Sequence, residues 1–64
     1  MDIFIERTKE EKSLDFSGSA IDLLKQLNLT AQEVLIIRNG TLVTEDEELD
    51  SGDNIRLLSV VSGG

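Results

Sequence analysis

A chain of 64 residues with no cysteine and no histidine has few ways to do chemistry of its own. Thiol nucleophiles, imidazole bases, disulfides and thiolate–zinc sites are all excluded at once. Carboxylates are plentiful, but Asp50 and Asp53 lack the spaced oxygen ligands and closing glutamate of a calcium loop, so no metal site is expected. Gly63-Gly64 ends the chain directly after a strand-like run. Taken plainly, two terminal glycines are a fraying end. Taken chemically, they form a carboxylate with no Cβ atoms close to it, suited to reaching a nucleotide α-phosphate through a narrow channel. From Val61 such a tail extends about 10 Å, at ~3.3–3.6 Å per residue. Gly63 and Gly64 are therefore singled out as the candidate functional residues of the tail. Lys9, Lys12 and Lys25 are the only lysines. They are surface charges by default and, in a protein that forms isopeptide bonds, candidate acceptors.

The elements that must present this tail follow from hydrophobic periodicity. Ile3 and Ile5 alternate with Asp2, Phe4 and Glu6, the pattern of a strand with one buried face. Thr8 to Glu11 reads as a polar connection to a second strand at Ser13-Leu14-Asp15-Phe16, which closes a hairpin. Ala20, Leu23, Leu24 and Leu27 then fall at helical spacing, with Ile21 beside them. Ser19 reads as the N-cap and Asn28-Leu29 as a left-handed C-cap, giving a helix of about three turns over Ser19 to Leu27. Glu33 to Arg38 is β-branched and apolar, and Asn39-Gly40 signals a tight hairpin into Thr41 to Thr44. Glu45 to Glu48 reads as a solvated acidic loop, with steering towards a basic partner as its alternative role. Asp50 to Asp53 is a turn, and Ile55 to Val61 is the last strand.

One amphipathic helix must bury its stripe against one face of the sheet. The order of hairpin, helix and three further strands predicts an α+β, β-grasp (ubiquitin-like) fold with a mixed sheet of four to five strands, its first and last strands central. The domain is expected over 1–61, with 62–64 as a flexible tail. If Ile55 and Leu57 face the helix, Arg56 and Leu58 face away. Val34 and Ile36 are likewise assigned inward, with Ile37 outward beside Leu58 and Phe4 outward on the first strand. Phe4, Ile37, Arg56 and Leu58 thus form a candidate partner-binding patch. Scattered exposed apolar residues are the ordinary alternative, and a slip of one residue would invert every assignment.

Composition limits the partners. Six basic residues against thirteen acidic ones give a net charge of −7, which disfavours nucleic acid and anionic membranes and favours basic protein surfaces. The longest apolar run, Val34 to Ile37, is far too short to span a bilayer. The start lacks the features of a signal peptide, so a cytoplasmic, monomeric protein is expected. A domain of this size hides only roughly 60% of its unfolded surface, which leaves little room for a catalytic cleft. It is not expected to be an enzyme.

Asn39-Gly40, Leu49, Gly52-Asp53 with Ile55, and Val61-Ser62-Gly63-Gly64, in that order and in a chain of this length, resemble the pattern of ThiS/MoaD-type sulfur carriers and small archaeal modifier proteins. Met1-Asp2-Ile3-Phe4-Ile5 is similar to the start of ubiquitin. The resemblance spans essentially the whole chain. It implies that an ATP-dependent, ubiquitin-activating-type enzyme adenylates the Gly64 carboxylate. The product would then become a thiocarboxylate for a sulfur-acceptor enzyme, or be joined to a target-protein lysine as an isopeptide. No tightly bound cofactor is implied, because the partner uses the ATP. Molybdopterin-pathway carriers often have a proline shortly before their terminal glycines. This chain has none, which favours a thiamine-type or modifier-type carrier. The alternative from another class is a β-grasp module that binds partners non-covalently through its sheet face.

Overall fold

The computed structural model describes residues 1–60. Seven strands and one helix follow in the order β1 (Asp2–Ile5), β2 (Glu10–Ser13), β3 (Gly18–Ser19), α1 (Ala20–Gln26), β4 (Val34–Arg38), β5 (Thr41–Val43), β6 (Glu48–Leu49) and β7 (Asn54–Ser59). Five of them form one sheet in the order β2-β1-β7-β4-β5, and β3 and β6 form a separate two-stranded ribbon. β1 and β7 lie side by side and parallel at the centre, while the remaining pairings are antiparallel. This is the mixed, one-helix sheet of the β-grasp fold.

The core follows the alternation. Ile3 and Ile5 from β1, Ile55 and Leu57 from β7, and Val34 and Ile36 from β4 are buried against Leu23 and Leu24 of the helix. Asn39 and Gly40 both take the left-handed backbone (φ 49 and 85°) that a two-residue hairpin turn requires, and Arg38 pairs with Thr41 across it.

Three expectations are corrected. β2 is Glu10–Ser13, not Ser13 to Phe16. The chain turns tightly over Glu6 to Lys9, with Lys9 at φ 56° and its N–H donating to the Glu6 carbonyl, so β1 meets the acidic segment sooner. All four β2 residues are exposed, so no alternation marks this edge strand. Leu14 and Phe16 come after it and pack against the margin of the core.

The helix runs between the expected ends, with Ser19 as N-cap and Leu27 as C-cap, but its seven residues make about two turns and Ser19 forms no side-chain capping bond. Ser19 is committed to β3. The Ala20 and Ile21 N–H groups donate instead to the Glu47 and Glu45 carbonyls, both at 2.9 Å. The C-terminal end forms as expected. Asn28 is left-handed at φ 59°, its N–H donates to Lys25 and the Leu29 N–H to Leu24, a Schellman arrangement.

The acidic run is the third. Glu45 and Asp46 are exposed, but Glu48 lies in β6 and Glu47 bonds to Arg38 at 2.9 Å. Positions 61–64, including the expected domain boundary and the candidate residues Gly63 and Gly64, lie outside the described residues.

Candidate functional site

The register across the sheet sets out the face turned away from the helix. Glu11 pairs with Phe4, Phe4 with Arg56, Arg56 with Ile37, and Ile37 with Leu42. One continuous row therefore crosses all five strands. A second, shorter row pairs Leu58 with Leu35. Phe4, Ile37 and Leu58 are half-buried, while Leu35 and Leu42 are 45% and 60% exposed. The Arg56 guanidinium carbon stands 5.5 Å from the centre of the Phe4 ring, within cation–π range. The Glu11–Phe4–Arg56 part of this row borders an open groove over β2, β1 and β7, whose lining also includes Asp2, Lys12 and Asn54.

All four residues assigned to the patch thus share one face. One detail changes: the direct neighbour of Ile37 is Arg56, and Leu58 lies diagonally from it, opposite Leu35. Leu35 and Leu42 are additions to the patch. Both follow from signals in the sequence, Leu35 from the alternation that puts Ile37 outward and Leu42 from a two-residue Asn-Gly turn, which sets it opposite Ile37. Lys9 lies in the turn after β1, Lys12 on β2 with its Nζ 3.8 Å from the Glu10 carboxylate, and Lys25 in the last turn of the helix. All three are exposed.

At the end of the sheet that carries the β4–β5 turn, a polar network holds these strands in place. Asp53 is buried, at 8% exposed, and accepts bonds from the Asp50 N–H (2.8 Å), the Asn39 amide (3.0 Å) and Arg38 Nε (2.8 Å). Arg38 also reaches Glu47 and, at 3.7 Å, Asp50. Asn39 in turn accepts from the Asn54 N–H at 2.9 Å and donates its own N–H to the Asn54 carbonyl at 2.8 Å. The Asp50 N–H, then the Asn39 amide and Arg38, hold the Asp53 carboxyl below the usual carboxylate range, against the opposing effect of burial. Its bonds to Asp53 and Glu47 raise the Arg38 guanidinium further. This network lies outside the patch. It ties the end of β4 and the Asn39 turn to the start of β7, next to the pair of Arg56 with Ile37.

Among the described residues no three His, Cys, Asp or Glu side chains are grouped to hold a metal ion, and no helix is long and apolar enough to cross a membrane. The last described residue, Val60, donates its N–H to the Glu33 carbonyl at 2.9 Å, so the ladder between β4 and β7 runs on past the Leu35–Leu58 pair.

Sequence comparison adds what the geometry cannot. A sequence model described as the ThiS family matches residues 4–64. The chain is 30% identical over 67 aligned residues to Small archaeal modifier protein 2 of Haloferax volcanii, an alignment covering the whole of both chains. It is 30% identical over 60 residues to Sulfur carrier protein TtuB of Thermus thermophilus, covering 91% of this chain and 92% of the relative.

Proposed function

The chain belongs to the ThiS family, small carrier proteins that are not themselves catalysts, and on that premise we propose that it is a ubiquitin-like sulfur carrier or protein modifier whose reacting group is the Gly64 carboxylate. The observation that carries this reading is the extent of the family match, which runs from β1 through the sheet to Gly63-Gly64. A carboxylate is a poor acyl donor until one of its oxygens becomes part of a good leaving group. In the proposed cycle a carboxylate oxygen attacks the α-phosphorus of ATP on a partner enzyme and pyrophosphate leaves. A sulfur nucleophile or a lysine amine then attacks the carbonyl carbon of the acyl adenylate and AMP leaves. The outward row of the sheet, with Phe4, Ile37, Arg56 and Leu58, docks the enzyme, and β7 leads from that face towards the tail.

The test is ATP–pyrophosphate exchange with the cognate adenylating enzyme. Native chain is expected to support exchange, whereas removal of Gly64 or addition of one residue after it abolishes it. One residue displaces the carboxylate by ~3.5 Å, and misplacement by about 1 Å can cost about a hundredfold in rate. Gly63→Val should fail as well, because a β-branched side chain stiffens and widens the tail. Activation of the altered tails at the native rate would leave the non-covalent interaction module as the better reading.

A further inference from the structure

Arg56 stands apart from the other arginines of this acidic chain. Arg7 pairs with Glu33 at 3.3 Å, and Arg38 with Glu47, Asp50 and Asp53. Arg56 makes neither an ion pair nor a side-chain hydrogen bond among the described residues, although the chain carries thirteen Asp and Glu side chains. Its position is central: Phe4 is beside it on one strand, Ile37 on the other, and Leu58 two residues along its own. The Phe4 ring holds the guanidinium against the sheet without using any of its donors. An arginine has five N–H donors in a planar fork that matches a carboxylate in two parallel bonds.

We propose that the partner meeting this face presents one Asp or Glu carboxylate to Arg56, set within an apolar surface and ringed by basic groups. This rests on the reading of the face as the docking surface. The inner part follows from charge complementarity. When apolar surfaces close over Phe4, Ile37 and Leu58, water leaves Arg56, and a desolvated guanidinium needs an anion. The ring follows from the margin, where Asp2 and Glu11 line the groove beside Arg56 together with Lys12, whose charge is met by Glu10 at 3.8 Å, and the net charge of −7 draws in a basic surface from a distance. The partner's sign therefore changes from rim to centre. A uniformly basic surface would steer well but would leave Arg56 facing like charge. Arginine and aromatic residues at the centre of an interface are the usual carriers of its affinity, and the stacking on Phe4 reduces the ordering cost.

Calorimetric titration of the full chain into the cognate adenylating enzyme tests this. Arg56→Glu is expected to weaken binding by about 30-fold or more, the loss typical of breaking a buried interfacial charge pair. Arg56→Lys should lose less, because a point charge cannot form the paired bonds. Neither change should shift thermal unfolding, since Arg56 is exposed. Changing one Asp or Glu on the contact surface of the enzyme to Arg should restore binding of the Arg56→Glu chain, which an arginine with a purely structural role would not show. If Arg56→Glu binds as the native chain does while Ile37→Asp does not, the carboxylate is wrong and the docking face stands. If both bind normally, the face itself is wrong. Failure of every acid-to-arginine change to restore binding would also overturn the pairing.

Discussion

Asp53 keeps its charge while almost out of reach of water, because three donors point at it. As its folded value lies below the ordinary 3.8, the unfolded chain takes up a proton there first when the pH falls. Stability therefore rises with pH through that window. The contribution of Asp53 is complete above the ordinary value and is lost as the pH drops through the folded one. Asp53→Asn should lower stability at neutral pH and flatten the acid side of the profile below pH 3.8, as followed by urea denaturation at a series of pH values. Parallel acid limbs for the two chains would assign the titration elsewhere. The sequence identified the Asp50 to Asp53 turn but not this network. Arg38 and Asp53 are fifteen positions apart, and only the antiparallel pairing of β4 with β7 brings them together.

Among the elements, the helix shows most plainly how tertiary structure takes over from local preference. Seven residues are too few for a stable isolated helix, so its packing must hold it. Leu24 has no exposed surface. Leu24→Ala should therefore cost about 2–5 kcal/mol, a large share of the stability of so small a domain, measured by chemical denaturation. A loss below about 0.5 kcal/mol is what a surface position gives and would contradict the packing. The buried stripe was legible because it repeats with the helical period, and the β4–β5 hairpin because Asn39-Gly40 states its own backbone geometry. The β3–β6 ribbon was not legible. Each of its strands has two residues, and the reason for pairing Gly18 with Leu49 lies thirty-one positions away.

At the scale of the whole molecule, the proposed docking face and the core lie on opposite sides of the sheet. One face holds the core and the other holds the outward row. Leu58→Asp should lower thermal unfolding only modestly, because Leu58 is half-buried, while weakening binding to the adenylating enzyme, since a docking patch cannot readily desolvate a carboxylate. Equal affinity in a calorimetric titration, or a chain that no longer folds, would overturn that separation. The parallel alignment of β1 and β7, from Asp2 opposite Asn54 to Ile5 opposite Leu57, also has a mechanical consequence. Tension drawn between the start of β1 and the end of β7 runs along both strands in opposite directions, so the bonds of this ladder carry the load together and in shear. Tension applied sideways at the edge strand β5 would meet the bonds one at a time and peel the sheet open. Forced unfolding follows the rate of crossing the barrier, not the equilibrium stability. A domain pulled through its last strand would therefore hold more firmly than its small core suggests.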